Sequence, residues 1–266
     1  MKIVVKVGGQ SAEEQFRRQR LARQIAGLAG AGHRVVVVHG GGKALTNTLQ
    51  RLGIETVFHN GLRVTDAATR DVALMVLAGT INKQWVADLE ALRQPAIGIC
   101  GGDGKLVTAR RLKATANGVK KDLGFVGRPT KINIAILNLA FSKGFVPVVA
   151  SLGLSAGGEY LNINADDLAA ALAAAIEADR LVYLTESGGV WDAERRVLPL
   201  LRTRDIQRLI QKGTVRDGMI PKLRSCARTL QHGVHEIDII SPDEQNSLLR
   251  TVIKRESVGT RIISAS

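Results

Sequence analysis

The chain has 266 residues, 45% of them hydrophobic but only 3% aromatic, and carries a formal net charge of +13. That length supports a large aliphatic core. No apolar run approaches the ~18 residues of a membrane span, and no signal-peptide pattern opens the chain. The cysteines, Cys100 and Cys226, are too few for a disulfide framework or a zinc cluster, so a cytoplasmic protein is expected. The basic residues are scattered (Arg17, Arg18, Arg20 and Arg23, then Arg110, Arg111 and Lys113, then Lys120 and Lys121) and base-stacking aromatics are scarce, which argues against a nucleic-acid surface.

Ile3 to Val7 is short, β-branched and apolar, so it reads as a strand buried on both faces, with Lys6 near its end and Gly8-Gly9 directly after. Glu13 to Ala31 has a helical stripe in Phe16, Leu21, Ile25 and Leu28. Arg34 to Val38 is a second buried strand, followed by His39-Gly40-Gly41-Gly42 and a helix from Lys43 to about Leu52. Thr56 to Thr65 reads as strands around a turn at Asn60-Gly61. Asp66 caps a helix through about Leu77, and a separate helix runs from Ile81 to Arg93. Ala96 to Cys100 is a strand. Leu106 to Ala116 and Val119 to Val126 form a projecting hairpin, Thr130 to Lys143 a helix, and Phe145 to Ala150 a strand.

Leu161 to Asp166 is extended and enters an alanine-rich helix, Asp167 to Ala178. Leu181 to Leu184 is a strand before a third glycine loop, Thr185-Glu186-Ser187-Gly188-Gly189-Val190. An edge strand is expected at Leu198 to Leu200, helices at Arg204 to Lys212, Ile220 to His232 and Glu244 to Ile253, and strands at Ile237 to Ile240 and Gly259 to Ile263. Alternating strands and helices define an α/β fold, a mainly parallel sheet covered on both faces.

Familiar nucleotide motifs are absent: no G-x-x-x-x-G-K-[ST] loop and no protein-kinase set. No Ser/His/Asp or Cys/His set is evident, and the five histidines lack metal-ligand spacing, so no metal site in the protein is expected. What remains is glycine loops at strand ends, Lys6, and Lys222 entering a late helix. Glycine nests with lysines suit phosphoryl transfer, which is mostly positioning and charge neutralisation.

Lys6-Val7-Gly8-Gly9, His39-Gly40-Gly41-Gly42, Asn60-Gly61-Leu62-Arg63-Val64-Thr65, Asn162-Ile163-Asn164-Ala165-Asp166 and Asp217-Gly218-Met219-Ile220-Pro221-Lys222 occur in this order over nearly the whole chain. Together they closely resemble the amino acid kinase family, and the two Asn-containing segments, Asn60 to Thr65 and Asn162 to Asp166, point to its acetylglutamate branch. The resemblance implies a three-layer αβα sandwich with an open, mainly parallel central sheet. It also implies a single domain of two lobes, 1–178 for the acyl amino acid and dimerisation and 179–266 for the nucleotide. The implied reaction is phosphorylation of the γ-carboxylate of N-acetyl-L-glutamate by ATP with its Mg²⁺, in arginine biosynthesis. A carboxylate is already ionised near pH 7, so no base is required.

By the same resemblance, Lys6 and Lys222 neutralise the transferring group and Asp166 orients both. Gly41, Gly42, Arg63 and Asn162 bind the acyl amino acid, Arg63 clamping its α-carboxylate. Gly8, Gly9, Thr185, Glu186, Gly188, Gly189, Val215, Asp217 and Gly218 bind the nucleotide, with Trp191 where a smaller residue is expected. A homodimer is expected through Val72, Ala73, Val76 and Leu77. The first strand starts within a few residues of Met1, leaving no chain for the extra helix that builds arginine-inhibited hexamers, so insensitivity to L-arginine is also expected. The rival readings are a kinase of the same fold acting on α-aminoadipate or glutamate tethered to an acidic carrier protein, and a non-catalytic nucleotide-binding regulator or basic RNA-binding protein.

Overall fold

The computed structural model describes residues 1–59, 61–116, 119–215 and 218–265, with backbone alone at 10, 114–116 and 119–121. The chain opens with β1 (Lys2–Val7), a 3-10 turn over Gly9–Ala12, α1 (Gln15–Gly30), β2 (Arg34–His39) and α2 (Gly42–Arg51). The short strands β3 (Phe58–His59) and β4 (Leu62–Arg63) pair as an antiparallel hairpin. A continuous helical run follows, made of α3 (Ala67–Ala73), a π-helical segment over Leu74–Ile81 and α4 (Asn82–Glu90). Then come β5 (Ala96–Cys100), β6 (Val107–Ala116), β7 (Val119–Ile132), α5 (Ala135–Ser142), β8 (Val146–Ala150), β9 (Leu152–Leu154), β10 (Tyr160–Ile163) and α6 (Ala165–Ala175). The last part holds β11 (Arg180–Leu184), β12 (Leu200–Arg202), α7 (Thr203–Gln211), α8 (Met219–Gln231), β13 (Glu236–Ile240), α9 (Ser247–Val252) and β14 (Thr260–Ile263).

The chain forms two compact units, one of residues 1–37 and 169–266 and the other of residues 38–168. This division differs from the expected lobes 1–178 and 179–266, because the opening strand and helix belong with the C-terminal segment. In the first unit the strand order is β12-β14-β13-β11-β1-β2. β1, β11 and β13 run parallel, and β14 turns antiparallel to β13. Ile3, Val4, Val5 and Val7 are all fully buried, as the β-branched run of a central strand requires. In the second unit β5 pairs parallel with β8, and β10, β7, β6 and β9 close a small barrel. Among the described residues no helix is long and apolar enough to cross a membrane.

Several expectations need correction. Thr130 to Ile132 continue β7, pairing with β6, and the helix begins only at Ala135, where Asn133 Oδ1 accepts the Ala135 N–H at 3.2 Å. Asp66 does cap α3, accepting from Thr69 N–H at 2.8 Å, but the helix does not stop near Leu77. The wider π turns carry it past Gly79 and bring Ile81, Asn82 and Trp85 into the interior. Val72, Ala73, Val76 and Leu77 are buried within the chain's own core, so they cannot form a two-fold contact patch. β9 has no strand signal of its own because it is a three-residue piece completing the barrel. Asn60 lies outside the described residues.

Arg180 is a buried cation of the first unit. It donates to Asp238 Oδ2 at 2.8 Å, to Glu236 Oε2 at 2.5 Å and to the Thr251 carbonyl at 3.3 Å. Arg180 and Asp238 are both buried, and burial raises the Asp238 carboxyl above its usual range despite the attraction of Arg180 and Arg261. Removing one partner of such a pair strands the other charge. Asp238→Ala is therefore expected to lower the unfolding free energy by about 3 kcal/mol, measured by urea denaturation. A loss under about 1 kcal/mol, the scale of an exposed pair, would mean that Glu236 alone satisfies Arg180.

Candidate active site

A cavity of about 180 Å³ opens in the unit of residues 38–168. Its walls come from the loop after β2, the β3–β4 hairpin, and the segment from β10 into α6. The loop is set from below by His39. This imidazole is fully buried and lies with Nδ1 2.8 Å from the Gly40 carbonyl, which makes Nδ1–H the donor. Nε2 then accepts from Asn82 Nδ2 at 3.1 Å, and the same amide nitrogen donates to the Val148 carbonyl at 2.9 Å. Burial pulls the His39 pKa down to about 4.

Gly41 is required by close approach: a Cβ there would collide with the side chains of Ile81 and Leu77. α2 starts at Gly42 with no side chain capping it, so its first N–H groups are available to an anion in the cavity. Arg63 comes from β4 directly opposite Phe58, whose ring lies 4.7 Å under the guanidinium. Its Nη2 donates to the Gly42 carbonyl at 2.9 Å and to Thr46 Oγ1 at 2.8 Å, and Nη1 to Thr56 Oγ1 at 3.3 Å. Arg63 is only 7% exposed, yet no carboxylate among the described residues pairs with it. Burial draws its pKa down, but a guanidinium stays charged.

Asn162 lines the same cavity and donates from Nδ2 to Thr65 Oγ1 at 3.4 Å. The four residues expected to bind the acyl amino acid, Gly41, Gly42, Arg63 and Asn162, are thus brought together. Asp166 lies in the first turn of α6. Asn164 Oδ1 accepts from Asp166 N–H at 2.8 Å and from Asp167 N–H at 3.4 Å at the start of that helix.

The other expected residues lie in the unit of 1–37 and 169–266. Lys6 pairs in register with Tyr183 across β1 and β11. Its ammonium folds back over Gly8, occupying the space a Cβ would need. Gly9 is backed by the Glu186 carboxylate. Lys222 Nζ, from the first turn of α8, lies 4.7 Å from the centroid of the Tyr183 ring. In the third glycine loop Thr185 Oγ1 and Ser187 Oγ are 2.6 Å apart, and Gly189 is enclosed by Val197 and Thr260. Trp191 is 46% exposed and donates from Nε1 to the Ser187 carbonyl at 3.0 Å. Val215 is buried, Gly188 turns the loop with φ +66°, and Gly218 directly precedes α8. Asp217 lies outside the described residues.

Sequence reasoning passed over Phe58, Thr46, Thr56 and Tyr183. Phe58 had a usable signal, since a two-residue turn at Asn60-Gly61 places residue 58 opposite residue 63. The threonines had none, because hydroxyls that hold a guanidinium cannot be told from surface threonines without the fold.

The pattern of glycine loops at strand ends with lysines beside them belongs to a known class. A family model described as the amino acid kinase family matches residues 1–241, and the chain belongs to that family. The acetylglutamate kinase of Koribacter versatilis (strain Ellin345) is 47% identical over 264 residues, 99% of each chain. That of Rhodopseudomonas palustris (strain BisA53) is 41% identical, covering 98% of this chain and 89% of its own length. Among solved structures, the N-acetylglutamate synthase from Neisseria gonorrhoeae complexed with coenzyme A and N-acetyl-glutamate matches with a TM-score of 0.88 at 27% identity. It covers all of this chain, while this chain spans 60% of that one.

Because His39 is neutral when folded down to about pH 4 but titrates near its ordinary 6.5 when unfolded, the unfolded chain binds the extra proton in that window. Stability therefore falls as pH drops from about 6.5 to about 4, by up to about 3 kcal/mol from this group. Urea denaturation across pH 7 to 4 should show a shallower loss for His39→Gln than for the parent. Parallel curves would show that the buried imidazole accepts its proton without penalty.

Proposed function

We propose that this chain transfers the γ-phosphoryl group of ATP to the γ-carboxylate of N-acetyl-L-glutamate, giving N-acetyl-L-glutamyl 5-phosphate for arginine biosynthesis. The observation that carries this reading is the buried Arg63 guanidinium, without a carboxylate among the described residues, on a cavity of small-metabolite size. A buried cation in that setting calls for an anionic ligand. Whole-length similarity to proteins named acetylglutamate kinase supports the same substrate.

In this reading Arg63 takes the α-carboxylate and Asn162 the amide region. The α2 N-terminus at Gly41 and Gly42 receives the γ-carboxylate through backbone N–H groups. A carboxylate oxygen then attacks the terminal phosphorus of ATP, the bond to the bridging oxygen breaks, and ADP leaves with that electron pair. No proton has to be removed, since the nucleophile is already ionised. The difficulty is bringing an anion to a polyanion, and Lys6 and Lys222 answer it by neutralising charge on the transferring group. Gly8, Gly9, Gly188 and Gly189 cradle the nucleotide phosphates, and magnesium enters with the nucleotide as part of the substrate.

The test is ADP release coupled to hydroxylamine trapping of acyl phosphate, comparing N-acetyl-L-glutamate, glutamate, N-acetylaspartate and aspartate. Hydroxamate should form efficiently with N-acetyl-L-glutamate alone; none from any of the four would refute the reading. Lys6→Ala and Lys222→Ala should each lower kcat by ~10²–10³-fold, the usual loss for one contact to transition-state charge. Near-parent kcat with only a raised KM would remove that lysine from the chemistry.

A further inference from the structure

Lys222 stands in the first turn of α8, where the helix dipole repels a cation. Its ammonium is nevertheless held inward, 4.7 Å from the centre of the Tyr183 ring. That distance is within the ~6 Å range of a cation–π contact. Tyr183 is fully buried, so the ring is fixed by the core of its own unit. It is also the register partner of Lys6 on the neighbouring parallel strand. Register partners present their side chains on the same face of a sheet. One aromatic side chain therefore adjoins both lysines assigned to the transferring phosphoryl group.

We propose that Tyr183 is a positioning residue for phosphoryl transfer: its ring face steers the Lys222 ammonium, and its bulk fixes the lateral position of the Lys6 side chain. This rests on the kinase reading above and adds a residue that none of its motifs contains. The chemistry of a ring suits the task. A π face attracts the ammonium and leaves its full charge for the phosphoryl oxygens. Placement of that charge within a fraction of an ångström governs how well it meets the transition state.

The experiment compares Tyr183→Leu with Tyr183→Phe in the hydroxamate assay, alongside ADP binding by calorimetry and the melting temperature of each variant. Tyr183→Leu removes the π face, and kcat should fall by ~10-fold or more. Its KM for N-acetyl-L-glutamate and its Kd for ADP should stay within about 2-fold of the parent, because the ring acts through the lysines on the transition state. Tyr183→Phe keeps the face and should keep kcat within about 3-fold. Should the leucine variant fail to fold, Tyr183→Met carries the same comparison, having bulk without a ring. A leucine or methionine variant with parent-like kcat, or a phenylalanine variant that falls as far as they do, overturns the proposal while the kinase reading stands. A parent that makes no acyl phosphate overturns the kinase reading, and this proposal with it.

Discussion

A guanidinium almost wholly removed from water, held by a carbonyl and threonine hydroxyls rather than by a carboxylate, is the feature on which the binding side depends. Burying an unpaired charge costs several kcal/mol, roughly, and neutral hydrogen-bond acceptors offset only part of that. The residual is the driving force for capturing an anion. The rest of the cavity keeps the charge in place. The β3–β4 hairpin presents Arg63 over Phe58, the Gly42 carbonyl takes one N–H, and Thr46, one turn along α2, takes another. His39 and Asn82 in turn lock the loop from which α2 starts.

The other unit follows the same physical rule with different parts. Lys6 is the penultimate residue of β1, whose Ile3, Val4, Val5 and Val7 are fully buried, and only a residue without a Cβ at position 8 leaves room for its ammonium above the loop. Lys222 is turned inward by an aromatic face. In both units backbone amides and cations are set out before any ligand arrives, so little reorganisation is left for the reaction itself. A mechanism that needs no proton transfer has no use for a tuned acid or base, which fits a site whose one strongly shifted histidine is structural.

Much of this was legible in the amino-acid sequence, and the gaps have physical causes. β-branched runs such as Ile3 to Val7 and Val35 to Val38 identify buried strands almost unaided, and glycine loops after them mark the ligand end of the sheet. Arg63 and Asn162 were found through motif order, and the fold brings them onto one cavity. The helix drawn over Thr130 to Lys143 failed because local propensity cannot see that β6 is waiting to pair with Lys131 and Ile132. The apolar stripe of Val72, Ala73, Val76 and Leu77, expected as a partner surface, is buried in the chain's own core, a distinction that helical spacing alone does not make. Tyr183 gave no signal at all: within an apolar strand an aromatic reads as packing, and only register and the approach of α8 reveal what lies against its ring. The division into units escaped a linear reading because residues 1–37 fold with the far end of the chain.

The central claim is that Arg63 exists to meet the α-carboxylate of the acyl amino acid. Calorimetric titration of the parent and of Arg63→Ala with N-acetyl-L-glutamate and with its α-carboxamide tests it directly, because the amide keeps the shape and removes the charge. The account predicts that the parent binds the diacid on the order of 100-fold more tightly than the amide, a charged and bidentate contact being lost, and that Arg63→Ala binds the two about equally. Equal binding of diacid and amide by the parent would contradict it.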